Sequence, residues 1–261
     1  MLISEKELLK AQDLGGIPTE QPQPTEDPTD DTLPPPYVEN PLSPSVLRPP
    51  PNIRPTNFVL VNEKDLAIKE SYAIDPTIFV PRYTPPNPKE YPDGERRNLD
   101  IRSRDGHVEV QVWLVHPEDA VNASSGIAAS KKRTTMYLYA RDGNVTASVN
   151  TVPSSAPFFL DIYARDGRVT VLLPRSFSGP LKLNSRDGPI VLSDGLLQRS
   201  ALLSNVDRTR IYFVGDVSNM SEDNWQGDEL NVEARDGKIK VRYVDEIETQ
   251  KGGFLGRIFH R

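Results

Sequence analysis

The sequence predicts an all-β protein built from a repeated unit, and three observations carry that prediction. Apolar and polar residues alternate over short runs from Leu99 to Tyr243, the period of strands with one buried and one solvated face. The runs meet in pairs at the same tripeptide, Arg-Asp-Gly, centred on Asp105, Asp142, Asp166, Asp187 and Asp236. Successive corners are 37, 24, 21 and 49 residues apart. That series reduces to a unit of roughly 20–25 residues carrying insertions, a period typical of stacked supersecondary units.

Counted from each Asp, apolar or small residues fall at −6, −4, −2, +3 and +5. In the first copy these are Leu99, Ile101, Ser103, Val108 and Val110; in the third they are Leu160, Ile162, Ala164, Val169 and Val171. Positions −2 and +3 emerge on the same side of a two-residue connection, so the buried stripe continues round the bend. The residue at −2 is always Ser or Ala, which implies crowding inside the corner. Asp105-Gly106, Asp142-Gly143, Asp166-Gly167, Asp187-Gly188 and Asp236-Gly237 are therefore structural turns, with Asp capping the bend and Gly expected to take φ > 0.

Two architectures satisfy this pattern. In a β-solenoid each copy is one coil, and like positions stack into ladders. In an antiparallel meander or sandwich each Asp-Gly is a hairpin turn. The arginine before every Asp favours the solenoid, because a hairpin has no use for it.

The remaining elements follow in chain order. Residues 1–14 read as one short helix, with Ser4 and Glu7 as a capping-box pair. Residues 15–56 hold 13 of the 25 prolines, with acidic residues and few apolar ones. Such a tail buries too little apolar surface to order itself and reads as disordered with polyproline character. Inside it stands Pro34-Pro35-Pro36-Tyr37, whose tyrosine is the one aromatic residue before Phe58. This tetrapeptide fits Pro-Pro-x-Tyr and resembles the ligand of WW domains, which dock pre-extended proline segments in an aromatic-lined groove.

An all-β repeat domain is expected over 57–247. Residues 57–75 read as two strands about a polar turn at 62–65, and the proline-rich 76–98 as a surface connection. Leu202 to Phe213 reads as an eroded copy of the repeat, with Asp207-Arg208-Thr209 at its corner. Residues 248–261 form a basic-apolar tail. Its Phe254, Leu255, Ile258 and Phe259 suit weak peripheral contact with an acidic membrane or a cap on the open end of the stack.

Composition excludes several functions. The net charge is −6, which argues against a nucleic-acid binder. With no cysteine, disulfides, thiolate metal sites and cysteine nucleophiles are ruled out. The start lacks the charge and apolar run of a secretory signal, so a cytoplasmic protein is expected. His107, His116 and His260 have no metal spacing, and there is neither a nucleophile elbow nor a P-loop. No catalytic, metal or cofactor site is predicted, and the protein is not expected to be an enzyme.

Two features remain as candidate surfaces. Stacked copies would bring the corner arginines and aspartates into one column, where mutual charge compensation is the expected role. Tyr139 and Tyr163 occupy position −3 of consecutive copies, with Tyr137 and Tyr212 also on outward positions. They read as a stabilising aromatic ladder, with a carbohydrate-binding face as the functional alternative.

The pattern apolar-x-apolar-x-Ser/Ala-x-x-Gly-x-Ile/Val-x-Val resembles the repeats of an adhesin-like bacterial β-solenoid domain of unknown function. The whole layout, a proline-rich head carrying Pro34 to Tyr37 and then the β region, looks like an uncharacterised fungal family with a domain of unknown function. What the first resemblance implies is a fold. The expected function is thus a non-catalytic intracellular interaction or scaffold protein with a WW-docking tail. A surface-associated adhesin-like or carbohydrate-binding protein is the alternative.

Overall fold

Alternating stripes become strands wherever a second stripe is there to bury them, and here two sheets bury each other. The computed structural model describes residues 49–81, 96–116, 132–153, 155–219 and 225–246. Those residues are nearly all β. The strands are β1 (Pro55–Thr56), β2 (Val59–Glu63), β3 (Ile68–Ile74), β4 (Leu99–Ser103), β5 (Val108–Leu114), β6 (Thr134–Ala140), β7 (Val145–Thr151) and β8 (Phe158–Ala164). They continue as β9 (Val169–Leu173), β10 (Gly179–Ser185), β11 (Ile190–Leu192), β12 (Ser200–Val206), β13 (Thr209–Val214), β14 (Glu229–Ala234) and β15 (Ile239–Tyr243). One helical turn, α1 (Asp194–Leu197), begins at Ser193, whose side chain accepts a hydrogen bond from the Leu196 N–H.

One sheet runs β1-β3-β5-β7-β9-β15-β11 and the other β12-β13-β10-β14-β8-β6-β4-β2. Each Asp-Gly corner joins a strand of the second sheet to one of the first, so the strands flanking a corner do not pair with each other. Neighbours within a sheet are parallel and in register. Leu160 sits beside Met136, Val145 beside Val108 and Val169 beside Val145. The exceptions are β12, β13 and β10, which pair antiparallel in succession. The sheets do not close into a barrel.

Between the sheets lies one apolar layer. Leu99, Ile101, Met136, Leu138, Leu160, Ile162, Leu230 and Val232 come from one side. Val108, Val110, Val145, Val169, Val171, Ile239 and Val241 come from the other. Each such side chain contributes about 1.5–3 kcal/mol by leaving water.

Three sequence expectations change here. The 57–75 segment is itself a copy of the repeat: the Asp105 N–H donates to the Lys64 carbonyl (2.8 Å) as the Asp142 N–H donates to that of Arg104 (2.9 Å). Leu66 therefore occupies the glycine position, and β2 and β3 flank it.

The copies, next, are not stacked in chain order. β14 pairs with β8 on one side and β10 on the other, while β15 lies between β9 and β11. The Asp236 copy is thus inserted between the Asp166 and Asp187 copies. The reason lies in β10. Its far edge is taken by the antiparallel strand β13, so the last copy has only the space on the β8 side.

Lastly, the segment read as an eroded copy is a hairpin within one sheet. Val206 pairs with Thr209 across Asp207-Arg208, and Asp207 takes φ 52°. Tyr212 follows from this. Placed opposite Leu181, it turns toward the core rather than outward.

Candidate functional site

The repeat concentrates chemistry at its corners, so the corners come first. Their backbones continue the sheet ladder. Arg165 N–H donates to the Ala140 carbonyl (3.1 Å), and Asp166 N–H to that of Arg141 (3.0 Å). This close stacking fixes the glycines. None of the five corner glycines has positive φ, contrary to the expectation from turn chemistry. A Cβ on Gly143 would collide with the Gly106 carbonyl oxygen, one on Gly167 with that of Gly143, and one on Gly237 with that of Gly167. Gly188 would meet Gly237 in the same way. Leu66 is tolerated because it stands in the first layer of the column.

The small residue at −2 is crowded for the same reason. Ser103, Ala140, Ala164, Ser185 and Ala234 are all buried. The Gly106 N–H donates to the Ser103 hydroxyl (3.0 Å). Ser185 accepts from Gly188 N–H (3.1 Å) and donates to its carbonyl (2.7 Å).

On the outside of the corners the charges interlock. Arg165 contacts Asp142 of the layer beneath at 2.6 Å and its own Asp166 at 2.8 Å. Arg186 reaches its own Asp187 at 2.8 Å and also Asp236. The inserted copy therefore separates Arg165 from Arg186, which sequence order would have placed side by side. Asp166 and Asp187 are held below the usual carboxylate pKa, chiefly by the hydrogen bonds from Arg165 and Arg186. Asp142 lies above it, through loss of water and then the neighbouring Asp166 and Asp105 carboxylates. Among the described residues no group of three or more His, Asp or Glu side chains is placed to hold a metal ion.

Tyr139 and Tyr163 are adjacent in β6 and β8, with ring centroids 5.3 Å apart and planes within 5°. One face of each ring meets the other along the sheet, and both residues are half-buried. Beside them the Arg97 guanidinium lies 4.3 Å from the Tyr137 ring. Asp161, opposite Tyr137 in the register, accepts a hydrogen bond from Asn231 (2.9 Å) and is pushed up mainly by burial. Sequence reasoning missed Asp228. Its carboxylate accepts from the Phe158 and Ser178 backbone N–H groups at 3.1 and 3.2 Å and ties two copies together. Burial also raises its pKa. The only sequence sign of that role is its place just ahead of β14.

The outer face of the other sheet carries a groove of about 910 Å³. Its floor is the in-register row Ser71, Gln111 and Ser148, and the segment from Pro50 to Arg54 forms one wall.

Comparison with known proteins adds one finding. Residues 57–246 match the family described as Domain of unknown function (DUF7330). The chain belongs to the DUF7330 family. No curated protein and no solved structure matches it. The DUF7330 domain begins just before β2 and ends just after β15, so it takes in all five Arg-Asp-Gly corners and the tyrosine pair. Pro34, Pro35, Pro36 and Tyr37 and the short helix predicted over 1–14 fall ahead of the domain, the tail at 248–261 falls after it, and all of them lie outside the described residues.

Proposed function

We propose that this protein is a non-catalytic intracellular interaction protein: a β-solenoid platform tethered to a WW-domain partner through Pro34-Pro35-Pro36-Tyr37. The carrying observation is that tetrapeptide, the one aromatic-bearing point of a proline-rich stretch. A proline segment already extended loses little entropy on docking, and the tyrosine supplies the specific contact. The corners support a structural role for the repeat. Their glycines answer backbone crowding, and their charged side chains are largely engaged with each other.

A sugar platform on Tyr139 and Tyr163 fits less well. Such a platform needs ring faces turned to solvent, and one face of each ring is taken up by the other.

The test is titration of the full chain, wild type and Tyr37→Ala, against a panel of WW domains. Saturable binding by the wild type and its loss in the variant is the expected result. Equal binding by both chains, or none by either, ends this reading.

A further inference from the structure

The two ends of the larger sheet are finished differently. At one end, β2 carries Glu63 and is followed by Lys64 and Asp65, and the neighbouring edge of β3 carries Lys69 and Glu70. Charges at an edge discourage strand addition. At the other end stands β12, Ser-Ala-Leu-Leu-Ser-Asn-Val, seven residues with neither charge nor proline. It is the outermost strand of its sheet, so among the described residues the N–H and C=O groups turned away from β13 have no strand opposite them. Leu202 is 54% exposed, Leu203 43% and Val206 62%, and Leu197 of the adjoining α1 is 45% exposed. A bulge between Leu202 and Ser204 loosens the pairing with β13 but brings no charge to the edge.

We propose that β12 is a homodimer interface, pairing antiparallel with β12 of a second copy of this chain. The flanks of the strand argue for a second copy as the occupant. In an isologous antiparallel pair centred on Leu203, that residue meets Leu203 of the partner subunit. One residue beyond each end of β12, Arg199 then lies near Asp207 of the partner subunit, and by the two-fold axis Asp207 lies near Arg199 of the partner subunit. Both flanking side chains are exposed. The strand with its two flanking residues is thus complementary to itself in charge as well as in the backbone groups of its outer edge. Pairing β12 with the β2 edge instead would give a parallel ladder that repeats without closing, set against the charges at that end.

Sedimentation velocity on the full chain, over about 1–200 µM as suits a small interface, tests this directly. The mass is expected to rise from 29.2 kDa toward twice that value. Leu203→Lys sets like charges opposite each other and should weaken association about tenfold or more. Asp207→Asn tolerates the same positive φ and should weaken it roughly two- to fivefold, with less dependence on salt. Melting temperatures of both variants check that the fold is kept. A chain that stays monomeric throughout overturns the proposal, as does a dimer indifferent to both substitutions. Loss of the dimer in Leu60→Lys instead would place the interface at the β2 edge. A dimer appearing only after Phe254→Ser, Leu255→Ser, Ile258→Ser and Phe259→Ser would assign β12 to the chain's own tail.

Discussion

At the corner glycines, a missing side chain makes room for the carbonyl of the layer beneath. This separates two explanations that a sequence cannot tell apart. If these residues needed φ > 0, asparagine would be nearly as good as glycine. If they need the absence of a Cβ, asparagine should fail as badly as alanine. The column of Gly106, Gly143, Gly167, Gly237 and Gly188 favours the second explanation. Gly143→Ala and Gly143→Asn should therefore each destabilise by about 1–3 kcal/mol, the usual range for forced overpacking, as measured by urea denaturation. A neutral asparagine variant would return the corner to turn chemistry. The same reasoning separates what was legible at this scale from what was not. The small residue at −2 could be read as crowding because a size limit shows directly in residue type. The cause of the glycine could not, since both causes select the same letter.

Single elements were legible where their two faces differ. The buried stripes of β4 to β9 are written in the alternation, because each of those strands has solvent on one side only. The β12–β13 segment shows the limit of that signal. Its alternation resembles a corner copy, but β13 lies antiparallel to β10 and returns within the same sheet. What distinguishes hairpin from corner is the backbone at Asp207, whose φ of 52° suits Asp, Asn or Gly. Asp207→Asn should leave the melting temperature nearly unchanged. Asp207→Ile should cost about 1–2 kcal/mol, because a β-branched residue is forced into the left-handed region. Equal tolerance of both substitutions would contradict the hairpin. Residues 57–75 were legible as two strands but not as a copy of the repeat, for the opposite reason: at the end of the stack, Glu70 holds an inward position yet is exposed, which blurs the period.

For the whole molecule, the order of the layers was hidden in the sequence for a physical reason. Each of the five Arg-Asp-Gly copies presents the same apolar stripe and a small residue, Ser or Ala, to its neighbours, so any of these layers can stack on any other at similar energy. What breaks this equivalence is the antiparallel hairpin, which occupies one side of β10, so that the Asp236 copy pairs with β10 from the side facing the Asp166 copy. In that arrangement the outward residue Thr170 lies beside Lys240, which lies beside Val191. Stacking in chain order would instead set Thr170 directly beside Val191. The chain has no cysteine, so engineered pairs report without background. Thr170→Cys with Lys240→Cys, and Lys240→Cys with Val191→Cys, should each cross-link in high yield with a short bifunctional thiol reagent. Thr170→Cys with Val191→Cys should stay largely open, because a full strand separates the two positions and adjacent strands lie about 4.8 Å apart. Ready closure of that third pair, with failure of the first two, would mean the copies stack in chain order.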